Sequence, residues 1–282
     1  MTNGDAFVVQ PGVALAPGLL VDRAERNRLV IFDPTSVALL RPVIVAEDVY
    51  AWFCAPADRW AIVIRPDYSR DLSTLNARHP ALARHISAAG LADPAQWEVA
   101  APILPPGPRI ILAPQGAAAW DAGTALVAAP AHVIPAAEPH WLAFLRNNRR
   151  ELDHSGDATK RPAIPPLPAP TRANLDGLVL SVSNLARQRA ELEQAVLRRL
   201  LADFAPPGVG PSGQLAHWWE LDFDALREEV LTALQNDIPQ RFRATWRQIH
   251  HDQRNIHADA TARIQALEAA ITAQVAAVVG GV

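Results

Sequence analysis

The chain has 282 residues, 50% of them hydrophobic and 20% charged, with a formal net charge of −3. This length and apolar share suit two ordinary domains with buried cores and exclude a disordered polymer. The lone cysteine, Cys54, excludes a disulfide framework or a cysteine-rich zinc module. No unbroken apolar run approaches the roughly 20 residues of a spanning helix, and the first residues are not a signal peptide. The expectation is a cytoplasmic protein with no membrane partner.

In chain order, short apolar runs bounded by turn residues come first: Ala6–Val9, Leu29–Phe32, Pro42–Val45, Trp60–Arg65, Arg109–Ala113 and Ala125–Ala129. Runs of this length read as strands. Between them Asp33 followed by Pro34 reads as a capped helix start, and Leu75–Ala89 as a helix stopped by Gly90. His140–Asn148 reads as a third helix, opened by Pro139. The predicted class is α+β, a bent and mostly β domain with inserted helices. Lys160–Pro170, KRPAIPPLPAP, reads as an extended linker. Beyond it Leu175, Leu178, Val182, Leu185, Leu192 and Val196 fall at helical spacing, up to the break at Pro206–Gly213. A second helix is expected from Asp224 to Asn236. A third, from about Pro239, carries Ile264, Leu267, Ile271 and Val278. Long helices of this kind pair most simply as an antiparallel, coiled-coil-like hairpin. The expected division is 1–159 for the α+β domain, 160–170 for the linker and 171–282 for the helices.

The chain contains no phosphate-binding loop, dinucleotide fingerprint, nucleophile elbow or zinc-protease helix. No catalytic residue, cofactor or metal is therefore expected. His250, His251 and His257 with Asp252 and Asp259 come nearest to a metal cluster. His250 and His257 stand two helical turns apart, too far for one ion, so the group reads as a solvated helix face. Glu220–Glu229 reads as a helix start capped by Asp222 or Asp224. Of 26 cations, 25 are arginine and only Lys160 is lysine. Arginine suits bidentate contact with phosphate or guanine, although an alanine- and proline-rich chain of GC-rich coding has the same look. Up to Pro170 there are 15 basic and 16 acidic residues, and 11 and 13 after it. Neither part has the basic surplus usual for nucleic-acid binding.

The segment DPTSVALLRPVIVAEDVYAW, Asp33–Trp52, resembles the start of the target-recognition region of TaqI-like adenine-specific DNA methyltransferases and single-chain type IIG restriction–modification enzymes. In order along the chain, TNGDAFVV, WAIVIRP, RHPALARHI, RIILAP, HWLAFLRNN, LPAP and the final RIQALEAAITAQVAAVVGGV are similar to further segments of that family. There are departures. The family's glycine before the acidic pair is Ala46, and its Leu-Asn-Ser step is Leu145-Arg146-Asn147. The methyltransferase domain, with its S-adenosylmethionine loop and N-P-P-Y motif, has no counterpart here.

The resemblance implies a DNA specificity module of a restriction–modification or related antiphage defence system, without catalysis of its own. It would act on double-stranded DNA with a separate methyltransferase or restriction subunit. Two alternatives stay open: a protein-interaction adaptor that keeps the fold, and a truncated fragment of a type IIG enzyme. The expected DNA contacts are Arg146, Asn147, Asn148, Arg149 and Arg150, followed by Lys160 and Arg161. Arginine can grip guanine O6/N7, and asparagine can read adenine N6/N7. Asp48 and Trp52 match the family motif, and both also fit structural roles, Asp48 capping a turn and Trp52 filling a core. The C-terminal helices are expected to dock on a partner or a second copy, with Trp218, Trp219 and Trp246 closing their junction with the α+β domain.

Overall fold

The computed structural model describes residues 10–55, 58–64, 71–91, 93–97, 107–123, 125–135, 137–147, 164–211 and 213–280. Two compact units emerge: Met1–Val179 together with Gln274–Val282, and Leu180–Ala273. The expected Ala6–Val9 strand lies outside the described residues.

The α+β class is observed. In the first unit the chain runs through β1 (Gln10–Pro11), β2 (Leu20–Asp22), α1 (Arg23–Phe32), β3 (Leu40–Ile44) and β4 (Arg59–Ile62). It continues through α2 (Leu72–Arg78), α3 (Pro80–Ala88), α4 (Pro94–Trp97), β5 (Arg109–Leu112) and β6 (Ala118–Asp121). β7 (Leu126–Val127), β8 (His132–Pro135) and α5 (Pro139–Asn147) close the series. The strands form two four-stranded sheets, ordered β1-β8-β5-β6 and β2-β4-β3-β7. Among the described residues the strand pairs are antiparallel except β3 with β7, which aligns Val43 with Leu126 and Ile44 with Val127.

Leu29–Phe32 is not a strand but the last turn of α1. The Asp22 carboxylate accepts the Glu25 backbone N–H and opens the helix there, and Arg28 pairs with Glu25 at 2.7 Å one turn on. Only Leu29 of this run is buried, while Ile31 and Phe32 are 76% and 69% exposed. The expected Leu75–Ala89 helix is two helices, because Pro80 forces His79 out of the helical region, at φ −137° and ψ 72°. Gly90, at φ +76°, then ends α3.

Cross-strand partners sort the apolar side chains onto opposite faces of the second sheet. Val21, Leu40 and Ile62 pack with Leu75, Leu82 and Trp97 of the helices. Val43, Ala61 and Val63 lie in another cluster with Val13, Leu126 and Ala128. Where Val13 meets the β7–β8 connection the backbones almost touch: Gly12 N–H donates to Ala131 O at 2.8 Å. A Cβ on Gly12 would stand 2.6 Å from that oxygen and 2.7 Å from the Ala128 carbonyl carbon. Only glycine fits there.

The second unit is helical. α6 (Ala169–Phe204) and α8 (Gln240–Gly280) pass through it, with α7 (Phe223–Leu234) between them. Asp222, not Asp224, caps α7, accepting from Ala225 N at 2.8 Å. The long helices run antiparallel here. Arg189 donates to Thr261, Glu193 meets His257, and Phe204 packs on Trp246, so partners descend one helix as they climb the other. Trp218 and Trp246 are buried in this unit's own core with Leu200, Leu226 and Val230, and Trp219 packs against it. The tryptophans therefore centre the core of the helical unit. His250 and His257 are likewise buried, on the core side of the helix, whereas His251, Asp252 and Asp259 are exposed, so the expected solvated face holds for those three and not for the two histidines. His250 Nε2 donates to Trp218 O at 3.2 Å, and the Trp219 ring stacks on His257 at 4.7 Å.

α8 also departs from the expectation that nothing is apolar enough to cross a membrane. It contains an 18-residue window of mean hydropathy 1.2, sufficient by length and composition, of which 17% is buried. Scattered polar residues in an alanine-rich helix lower the average only slightly, so the window passes on mean hydropathy although no unbroken apolar run of that length is present. A surface helix and a spanning helix both meet this test.

Candidate nucleic-acid interface

The segment Asp33–Trp52 owes its pattern to local hydrogen bonding. Asp33 is buried and accepts from the Thr35 and Ser36 hydroxyls at 2.6 Å each, with His79 Nδ1 3.4 Å away. Burial by itself would raise its carboxyl. The Ser36 and Thr35 hydrogen bonds and the nearby His79 outweigh that and hold it below the ordinary carboxylate range. This cap starts the 3-10 turn Pro34–Leu39 that feeds β3. At the other end Asp48 accepts from Val45 N at 3.1 Å, and its own carbonyl accepts from Ala55 N at 2.8 Å. Asp48 thus has the turn-capping role.

Trp52 sits at the tip of the same loop with φ +78° and 3% exposure. Its backbone N–H donates to Ala118 O, which ties the loop to the edge of β6. A left-handed tryptophan is costly and persists only where its surroundings fix it. One of those surroundings is Arg146, whose guanidinium lies 4.1 Å from the Trp52 ring centre. The structure therefore joins two predicted residues 94 positions apart in sequence. Arg146 is half-buried on the last turn of α5, while Asn147 is exposed and donates to Ala143 O at 2.9 Å. Asn148, Arg149, Arg150, Lys160 and Arg161 lie outside the described residues.

Other residues of the recognised segments are occupied structurally. Buried Arg109 grips Asp121 at 2.7 Å and the Ala125 carbonyl at 2.6 Å, bracing β5 against β6 and the turn that follows. A pocket of about 320 Å³ between α1 and α3 is lined by Arg28, Phe32, Arg84 and His85 among others. Both ring nitrogens of His85 are held, one by Glu25 at 2.8 Å and the other by the Gly18 carbonyl at 3.0 Å. Cys54 is buried.

Sequence reasoning missed one polar cluster. Glu138, His140 and Asp176 bring three ligand-type atoms within 4.8 Å of one another. Their separation in sequence hid them: Asp176 is on α6, and the other two flank the start of α5.

Residues 168–275 match a domain of unknown function, DUF8810. No curated protein matches the sequence. Among solved structures, the chain is similar to the Type IIL restriction-modification enzyme MmeI in complex with DNA, with a TM-score of 0.48 and 11% identity. The match covers 92% of this chain and 37% of the other, so the chain spans a little over a third of that enzyme's length.

Proposed function

We propose that the chain is a DNA target-recognition module of the TaqI-like and type IIG kind, non-catalytic by itself and acting with a separate methyltransferase or restriction subunit. The observation that carries this reading is the Arg146–Trp52 stack. It brings together two of the segments that resemble that family's, Asp33–Trp52 and the one that begins at His140, and leaves the Asn147 side chain exposed beside them. A guanidinium held by an indole loses less freedom on meeting a base or phosphate than a solvated one does. Recognition would then divide in the usual way, with arginines positioning the phosphates and the asparagine and arginine edges reading bases.

The test is selection of the full chain on a randomised duplex, followed by anisotropy titration of the enriched sequence at rising salt. A preferred duplex whose affinity falls steeply with salt is the expected result. No preference for any duplex overturns the reading, and methyl transfer by the purified chain with S-adenosylmethionine overturns its non-catalytic part. A second reading, a protein-interaction adaptor, is favoured by the exposed Ile31, Phe32 and Val37, since clustered exposed apolar side chains mark contact sites. Salt-insensitive capture of a protein partner without DNA binding would decide for it.

A further inference from the structure

The cluster at the start of α5 has a geometry that an ordinary ion pair leaves incomplete. His140 is 4% exposed, and its Nδ1 stands 2.9 Å from Asp176 Oδ1 and 3.4 Å from Glu138 Oε2. A single imidazole nitrogen carries at most one hydrogen, and the shorter contact takes it. The Glu138 oxygen is beyond hydrogen-bond reach of the same nitrogen, yet it faces it. Two carboxylates thus converge on one nitrogen with a single proton to share. Arg172, 3.8 Å from Glu138 Oε2, offsets only part of their charge.

We propose that Glu138, His140 and Asp176 form a divalent-metal site that takes Zn²⁺. His140 Nδ1 lies 2.9 and 3.4 Å from the two carboxylate oxygens, separations that an ion at roughly 2.0–2.2 Å from nitrogen and oxygen donors would span. One imidazole with two carboxylates suits zinc better than the all-oxygen preference of calcium or magnesium, and no thiolate is present to favour a softer ion. In the metal-bound form the ring hydrogen sits on Nε2 and Nδ1 faces the ion. The His140 backbone N–H already donates to Asp176 Oδ1 at 2.7 Å, which holds that carboxylate in place as an outer-shell donor does. Glu138 is half-exposed, so water completes the coordination on its side. The ion would fasten the start of α5 to α6, steadying the helix whose far end carries Arg146. The proposal is independent of DNA recognition.

The experiment is calorimetric titration of the full chain with ZnCl₂ alone, paired with thermal melting. One saturable site and a raised melting temperature are expected. Glu138→Gln, at a half-exposed position that leaves the fold intact, should weaken binding about tenfold or more. Asp176→Asn should weaken it as well, with circular dichroism checking that α5 survives loss of its cap. Arg172→Gln should tighten zinc binding, because it removes a competing cation, whereas in a purely ionic network the same change would only destabilise the protein. Absence of a single saturable site at micromolar zinc overturns the proposal. So does wild-type affinity in both carboxamide variants, which would place the ion elsewhere, or weaker binding by Arg172→Gln.

Discussion

In Leu180–Ala273 one cluster centred on Trp218 and Trp246 joins α6, α7 and α8, and its buried residues recur every three or four positions. In the α+β unit the buried side chains are divided among separate clusters on the faces of two sheets. Beside those clusters stand single polar or backbone ties: the Asp33 cap, the Arg109–Asp121 pair, the Gly12 crossing and the Trp52–Arg146 stack. The helical unit is stabilised by burial along a repeating stripe, so any one polar group there matters little. The α+β unit depends on single residues at chain crossings, where a small change removes a specific tie.

The sharpest way to break this contrast is Trp218→Ala. Removing a fully buried indole at the centre of the helical core should cost about 3–5 kcal/mol in urea unfolding. A loss under about 1 kcal/mol would show that the core is not centred there. Next is Gly12→Ala in the other unit. The added methyl meets backbone and not a movable side chain, so about 1–3 kcal/mol should be lost. A neutral result would mean the crossing is looser than described. Asp33→Ala should cost about 1–2 kcal/mol through loss of the cap and the stranded Ser36 and Thr35 hydroxyls. The depressed Asp33 carboxyl adds a pH signature. Its stabilisation is complete above the ordinary aspartate value and disappears as pH falls through the lowered one. The wild type should lose more stability than the variant over that acid range.

His250 gives the helical unit a pH signature at milder values. Burial lowers its pKa, against the opposing pull of the Trp218 carbonyl, so the folded state favours the neutral ring. The unfolded chain then binds the proton more readily, and this contribution is complete above about pH 6.5 and is lost as pH falls below it. Thermal melts across that window should show the decline, and His250→Gln should flatten it. The smallest expected stability change is Arg146→Ala, about 0.5–1 kcal/mol for a partly exposed cation–π contact. If the recognition reading holds, this variant should weaken duplex binding far more than it weakens the fold.

Much of the helical unit was legible because its signal is periodic and local. Val182 and Val196 sit on the buried stripe that the helical spacing predicts, and Asp222 caps α7 by a contact three residues away. The candidate interface was legible only as parts. Arg146 and Trp52 were both singled out, but nothing in a one-dimensional pattern says that a guanidinium will lie on an indole 94 residues before it. Leu29–Phe32 was misread because an apolar run of four has no period of its own, and the cap that settles it as helix, Asp22, stands seven residues upstream.

What the sequence by itself determined is the set of features that arise within a few residues. These are the α+β class followed by long helices, the Asp33-Pro34 cap, the α3 stop at Gly90 and the antiparallel pairing of the C-terminal helices. The tertiary structure alone decided the distribution of strands over two sheets, the burial of His250 and His257 beside the tryptophans, and the convergence of Glu138 and His140 on Asp176. Capping and periodicity are short-range, because a backbone hydrogen bond or a helical face closes within one turn of chain. Sheet order, core partners and polar clusters depend on which distant surfaces exclude water together, and that is fixed only when the whole chain packs.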